Sequence, residues 1–424
     1  MTATGSIMSR FGVWILGAVI LVALPHIFTS GFALNLLSQM GVLVIFSLAY
    51  NMLLGQGGML SFGHAIYFGL AGYFTIHYLN FVYDDIAPYF PITLFPLLGG
   101  LVGLFFGGLI GYVSTRRAGT TFAMISLGFG EMVTALTLIL VAVFNGEDGI
   151  QTDRMVGPEP LGITFGPNIQ VYYLIAGWVL VSTVAMYALT KTPFGRMSNA
   201  VRDNPERTEF VGYSSQRIRW LAFALSSFFA GLAGSLHAIN FEHVGFESVS
   251  ALQSGLVLFM AYIGGIGNFA GPIIGAVLIT FLNGTLTTIT EAWVLYLGIL
   301  FVAVIMFFPG GLAGLIAMHQ PIWRVDARLL ASLTVPYLLF IGSLVVMLLG
   351  FIGLIELLIY QTSRLGGGHG LTVYGIPMDP SNVVPWLSFA VVAAVGIVAI
   401  RKTYPMAAGA WNSAIDEIRA RANQ

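Results

Sequence analysis

Lys191-Thr192-Pro193-Phe194-Gly195-Arg196-Met197-Ser198-Asn199-Ala200-Val201-Arg202-Asp203-Asn204-Pro205-Glu206-Arg207-Thr208-Glu209-Phe210-Val211-Gly212 is the longest polar connection between apolar runs of the chain, and its setting decides the fold. The runs on either side, 168–190 and 220–240, are each about 20 residues long, enough to cross a hydrocarbon layer of about 30 Å as a helix. A charged connection between two such runs has to stay in water while its neighbours sit in lipid.

Composition says the same of the whole chain. Of 424 residues, 57% are hydrophobic and only 8% charged, where soluble domains carry about a quarter charged residues. Mean hydropathy is +0.88. Such a chain cannot keep its apolar surface from water as a soluble globule, so lipid is its solvent. Cysteine is absent, which excludes disulfides, thiolate catalysis and cysteine-held metals. The N-terminus, Met1 to Arg10 followed by an apolar run, lacks a small-residue cleavage site and reads as a retained first span.

Outward from the loop, apolar runs predict twelve helical spans at about 11–29, 33–54, 61–82, 91–113, 118–144, 168–190, 220–240, 250–267, 271–289, 292–308, 330–353 and 383–400. The fold class is an all-α polytopic membrane protein; the ten-residue alternation of a membrane β-barrel is missing. An even count puts both termini on one side. If that side is cytoplasmic, it collects Arg10, Arg116, Arg117, six basic residues from Lys191 to Arg219, Arg324, Arg328, Arg401, Lys402, Arg419 and Arg421. That is 15 of the 17 basic residues, leaving Arg154 and Arg364 outside, and the positive-inside rule selects this orientation. The outer connections are acidic: Asp84, Asp85, Glu147, Asp148, Asp153, Glu159, Glu242 and Glu247.

Two glycine-rich segments interrupt the pattern, Gly55-Gln56-Gly57-Gly58-Met59-Leu60-Ser61-Phe62-Gly63-His64 and Gly264-Gly265-Ile266-Gly267-Asn268-Phe269-Ala270-Gly271-Pro272. Each is either a loop or a broken helix lining a cavity, since bare backbone is tolerated in a membrane only where protein or water covers it. Their positions in roughly corresponding halves of 33–310 hint at an internal repeat. Within the basic loop, Asn204 is a good N-cap, Pro205 fits the first helical position and Glu206 the positive first turn, and Gly212 suits a left-handed stop. The spacing predicts a two-turn helix from Pro205 to Val211, too short to persist without a packing partner.

Polar residues inside spans are costly and usually face a bundle interior or a cavity. Gln56, Ser61, Gly63 and His64 at the first break, and Glu131 in mid-span, are the candidates for a translocation path. His64 reads equally as a packing histidine, and Glu131 as a protonated or paired carboxyl. Freed N–H groups at the start of the span after the break would attract a substrate carboxylate through the helix dipole. No histidine–carboxylate pair has metal-site spacing.

The run Pro193-Phe194-Gly195-Arg196 with Ala200-Val201-Arg202-Asp203-Asn204, Gly212-Tyr213, Leu221-Ala222-Phe223 and Ala230-Gly231-Leu232-Ala233-Gly234 resembles branched-chain amino acid ABC permeases of the LivM type. Asn51-Met52-Leu53-Leu54-Gly55, Leu60-Ser61-Phe62-Gly63-His64-Ala65, Thr121-Phe122-Ala123-Met124-Ile125-Ser126-Leu127, Gly271-Pro272-Ile273-Ile274-Gly275-Ala276 and Phe308-Pro309-Gly310-Gly311-Leu312 add to it, over about 30–315. The resemblance implies a permease domain in 1–315, with about ten core helices, in a bacterial inner membrane. It implies as partners a second, LivH-like permease, two cytoplasmic ABC ATPases and a periplasmic binding protein, besides membrane lipid and no nucleic acid. The loop 191–219 becomes the ATPase-coupling element, with Gly195, Arg196, Arg202, Asp203, Asn204, Pro205, Glu206, Arg207 and Gly212 as its residues. ATP belongs to the partner ATPases, and this chain implies no cofactor of its own: it has no Gly-x-x-x-x-Gly-Lys-Ser/Thr, and Gly366-Gly367-Gly368-His369-Gly370 lacks the lysine. Residues 316–424 depart from the family, adding two predicted spans and a polar tail whose 410–422 stretch reads as a short amphipathic helix with Trp411 and Ile415 on one side.

Import of branched-chain or other hydrophobic amino acids is the function implied; related permeases also serve urea, short amides and aromatic acids. The alternative is an ion-gradient-driven transporter of small organic solutes, with Glu131 and His64 as its proton relay. A membrane enzyme finds no cluster of acid, base and nucleophile on one aqueous side.

Overall fold

The computed structural model describes residues 3–155, 164–325, 328–362 and 371–422. Glu159, Arg364 and the glycine-rich run 366–370 lie outside the described residues. The chain is helical: α1 (Ala3–Ile27), α2 (Gly31–Asn51, continued by a π turn Met52–Gln56), α3 (Ala65–Tyr83), α4 (Phe95–Ser114), α5 (Gly119–Ile139), α6 (Val141–Phe144), α7 (Asn168–Lys191), α8 (Pro193–Asp203), α9 (Pro205–Phe210), α10 (Ser215–Phe241), α11 (Ala251–Gly264), α12 (Gly271–Ile289), α13 (Trp293–Phe307), α14 (Gly311–Val325), α15 (Arg328–Thr362) and α16 (Val383–Ala422). Two short antiparallel strand pairs are added, β1 (Ile150–Gln151) with the distant β2 (His243–Val244), and the hairpin of β3 (Leu371–Val373) with β4 (Ile376–Met378).

Among the described residues, eight helices are long and apolar enough to cross a membrane, or up to nine if Trp293–Phe307 and Gly311–Gln320, bent by 42°, form one span. Four of the twelve predicted spans are therefore not full crossings by this measure. The apolar parts of α1 and α11, Gly12–Ile27 and Ala251–Gly264, are too short. The predicted span at 61–82 loses its first turn to the break and begins at Ala65, and the one at 292–308 becomes the first arm of the bent pair.

The helices divide into two compact units, Met1–Thr285 with Ile299–Gly314, and Leu286–Gly298 with Leu315–Gln424. In the first, α10 is the central post, burying Ala222, Phe223, Phe229, Leu232, Leu236 and Ile239. Its neighbour α4 carries Gly99, Gly103, Gly107 and Gly111, every fourth residue and hence one stripe of the helix. A Cβ on Gly103 would lie 2.2 Å from the Ser227 carbonyl oxygen, and one on Gly231 2.3 Å from that of Gly99. The two backbones touch, which is how small residues hold helices together in lipid, where apolar burial supplies no drive.

At the end of α10 away from the basic loop, the buried Arg154 ties the connections down. It donates to the Phe165 carbonyl at 2.6 Å, the Gly166 carbonyl at 2.8 Å and the Asn240 carbonyl at 3.1 Å, and stands 3.6 Å from Glu242. One of the two cations that charge counting leaves on this face is thus a structural clasp.

In the second unit α15 and α16 run side by side; a Cβ on Gly350 would meet the Ala393 nitrogen at 2.4 Å. Stretch 410–422 is not a separate helix: it is the end of the 40-residue α16. Trp411, Ala414 and Ile418 pack against Ile322 and Leu333. Glu356 accepts hydrogen bonds from the hydroxyls of Thr290 (2.6 Å) and Tyr296 (2.7 Å), which accounts for a carboxyl inside an apolar helix.

Gly103→Leu should lower stability by about 3 kcal/mol through overpacking. Gly177→Leu, at a glycine with open space around its Cβ position, should change the melting temperature in detergent little; equal shifts for the two would refute the close α4–α10 contact.

Candidate functional site

The first glycine-rich segment is a broken helix. At Gly57 and Gly58 the chain leaves the π turn of α2 and reverses, Gly58 taking φ +64°, and it returns into the bundle without regular structure as far as His64. Side chains of the surrounding helices answer three of its backbone groups. The Tyr50 hydroxyl donates to the Ser61 carbonyl (2.8 Å), Phe62 N–H donates to Ser126 Oγ (3.0 Å), and Ala65 N–H donates to Ser254 Oγ (3.0 Å). The last bond joins the start of α3 to the first turn of α11. Both helices therefore begin inside the bundle. On α10, Ser226, which donates to the Ala49 carbonyl at 2.6 Å and meets His64, lies about 17 Å from the start of that helix at 1.5 Å per residue.

Gln56, Ser61, Gly63 and His64 are brought together at this break. Gln56 closes the π turn and is half-buried; the other three are buried. Gly63 has to be glycine, since a Cβ would lie 2.1 Å from the Ser126 carbonyl oxygen. His64 is enclosed by Phe46, Tyr50, Tyr67 and Phe223 and lies 3.0 Å from Ser226 Oγ. The serine proton goes to Ala49, so His64 Nε2 is the donor to Ser226. In this conformation His64 is a packing histidine. The N–H groups expected to await a carboxylate at the start of α3 are already engaged, Ala65 by Ser254 and Ile66 by the Gly63 carbonyl at 3.3 Å.

Glu131 is elsewhere. It lies on the exposed face of α5, in a line with Thr121, Met124, Gly128 and Ala135. A carboxylate on the outer face of a membrane helix needs a polar neighbour from outside this chain or water to face.

The basic loop holds two helices where one was expected. α8 is capped by Thr192, whose Oγ1 accepts from Gly195 N–H at 3.3 Å, with Pro193 at the first position. Gly195, Ser198 and Val201 face inward while Arg196 and Asp203 are exposed. Gly195 makes the tight corner with α7: a Cβ there would lie 2.5 Å from the Leu189 carbonyl oxygen. Arg202 folds back to donate to the Gly55 carbonyl. α9 follows after Asn204, whose Oδ1 accepts from Arg207 N–H at 2.9 Å. It ends in a paired closure, Tyr213 N–H to the Thr208 carbonyl (3.2 Å) and Gly212 N–H to that of Glu209 (2.9 Å). Thr208 is its buried contact, and Ser215 Oγ donates to the Pro205 carbonyl at 3.1 Å. Outward it shows Glu206, Arg207, Glu209 and two bare apolar side chains, Phe210 (90% exposed) and Val211 (70%).

Residues 32–309 match the family described as branched-chain amino acid transport system / permease component. The chain belongs to that family. It is similar to the high-affinity branched-chain amino acid transport system permease protein LivM of Salmonella typhimurium, 29% identical over 69% of this chain and 72% of the relative. The LivM protein of Escherichia coli is 28% identical over the same shares. A ribose import permease of Haemophilus influenzae is 26% identical over 64% of this chain and 82% of its own. No solved structure matches. Both glycine-rich breaks and the basic loop of this permease fall inside the family region; α15 and α16 fall beyond it.

Sequence reading missed α8, because its mixed polar surface carries no apolar run, and it missed Tyr50, Ser126, Ser226 and Ser254. The last three are ordinary helix serines whose partners lie 64 to 189 residues away. Ser254→Ala strips the buried Ala65 N–H of its acceptor. A buried donor left alone costs about 1–3 kcal/mol, so the melting temperature should drop, while Ser254→Thr should retain most of it.

Proposed function

We propose that this permease is the membrane subunit of an ATP-driven importer for branched-chain or other hydrophobic amino acids. A second permease of the same type, two cytoplasmic ATPases and a periplasmic binding protein complete it. Energy comes from ATP at the partner ATPases, and this chain holds no cofactor. The basic loop and both termini are cytoplasmic in this reading, following the distribution of Lys and Arg. The substrate class follows the LivM relatives; among the other relatives are permeases named for sugars.

The observation that carries the reading is α9. A six-residue helix closed at both ends and tied to its own chain by Thr208 and Ser215 presents Phe210 and Val211 to solvent with charges around them. Isolated helices of that length are not stable in water, and so rigid a display of apolar side chains suits a protein partner. The exposed line of α5 through Glu131 is the surface we assign to the path between two permeases. The ion-gradient alternative needs His64 and Glu131 as a relay, but His64 is sealed among aromatic rings and Glu131 faces outward, so it is not supported.

Replacing Glu206 and Arg207 by Ala together with Phe210→Asp should reduce the ATPase recovered with the purified permease at least tenfold, with the melting temperature kept. Full recovery would remove α9 from the interface. Glu131→Gln should slow uptake by proteoliposomes several-fold with the complex intact; unchanged uptake would take Glu131 out of the path.

A further inference from the structure

Three segments meet at Gly55. The end of α2 leaves several carbonyls without partners inside the helix. Met59 N–H takes the Leu53 carbonyl at 3.1 Å and Gly58 N–H that of Leu54 at 3.0 Å. The Gly55 carbonyl receives Nη1 of Arg202, from the last turn of α8. The rest of that guanidinium is fixed by the neighbouring residue: Nε and Nη2 each stand 2.9 Å from Asp203 Oδ1. All three nitrogens of Arg202 are thus engaged within the chain.

The stem of Arg202 crosses the turn of the break. A Cβ on Gly58 would lie 2.6 Å from Arg202 Cγ, so the absent side chain makes the passage for it. On the other side of Gly55 stands the second glycine-rich segment, where the Ile266 carbonyl oxygen lies 2.8 Å from the position of a Gly55 Cβ. Gly265, next to it, lies against the Phe308–Gly311 turn, with the Gly310 carbonyl oxygen 2.3 Å from its Cβ position. The cytoplasmic helix, the first break and the second break therefore share one point of contact, and one guanidinium bridges the first two.

We propose that Arg202 is not an ATPase-docking residue but the strut that carries motion of the α8–α9 loop into both glycine-rich breaks, and through them to the helix starts inside the bundle. This rests on the coupling role given to the loop above. The division of labour follows the geometry: α9 shows Phe210 and Val211 outward, while Arg202 points back to the bundle. Arginine suits a strut because its planar, permanently charged fork can grip a carboxylate on one edge and a helix-end carbonyl on another at fixed geometry; lysine cannot do both. Asp203 is the positioning residue for that grip.

The test uses the whole importer, both permeases and both ATPases with binding protein, in proteoliposomes loaded to follow leucine uptake and ATP hydrolysis together. Arg202→Met should keep the ATPases in the complex yet lower leucine taken up per ATP at least tenfold, and Arg202→Lys should fall between it and the parent. Gly58→Ala, which pushes on the arginine stem and leaves Arg202 in place, should give the same loss. Melting temperatures tell uncoupling from unfolding, and if Arg202→Met does not assemble, Arg202→Lys and Gly58→Ala decide. A parental uptake-to-ATP ratio in the assembled variants overturns the strut, as does release of the ATPases by Arg202→Lys. Failure of the underlying coupling reading would show separately, as Phe210→Asp complexes that keep both ATPase and uptake.

Discussion

A chain crossing hydrocarbon has to satisfy its backbone N–H and C=O groups from within itself, and here side chains contribute to that at a place where no helix does it. Between Gly57 and His64 the backbone runs irregularly through the bundle. The hydroxyls of Tyr50 and Ser126, on α2 and α5, hold it at Ser61 and Phe62, and its two ends are tied by the guanidinium of Arg202 on α8 at Gly55 and by Ser254 on α11 at Ala65. Three elements far away in sequence, α5, α8 and α11, are thereby bound to residues 55–65. The placement of α3 depends on that set of bonds, since it starts where the irregular chain ends, and the Ala65–Ser254 bond ties that start to the first turn of α11.

The same bonds make the break more than a defect. Satisfied polar groups inside a membrane bundle are strongly specified, because any displacement leaves a donor or acceptor bare in a medium that cannot replace it. The bundle around them is correspondingly tight, with α4 and α10 in backbone contact along a glycine stripe. A break that is bonded on the membrane side and gripped by Arg202 on the aqueous side is a defined joint between rigid parts.

Much of this was legible in the residues. Apolar run length and charge placement give the polytopic helical class, and Asn204, Pro205 and Gly212 locate α9 to within one residue because capping chemistry is local. The glycine content of 55–64 marks the break for the same reason. What could not be read is whatever depends on depth or distant partners. His64 looks like a path residue beside a break, yet its burial among Phe46, Tyr50, Tyr67 and Phe223 is decided by three helices at once. Arg202 counts as one of six loop charges until folding turns it toward Gly55. Span counting overreached at 250–267, where the apolar helix is only 14 residues long.

Helix α16 sets a limit of a different kind. Its 40 residues measure about 60 Å at 1.5 Å per residue, twice a hydrocarbon layer of about 30 Å. To keep it all in lipid would take a tilt of about 60°, beyond the roughly 0–40° that membrane helices adopt. The exposed Arg401 and Lys402 stand near its midpoint, so the half that follows them has to leave the bilayer. That half carries Trp411, Ala414 and Ile418 onto Ile322 and Leu333. Beyond the family region, then, the chain builds a water-exposed lobe with a small apolar core of its own, continuous with a transmembrane rod and unable to turn independently of it.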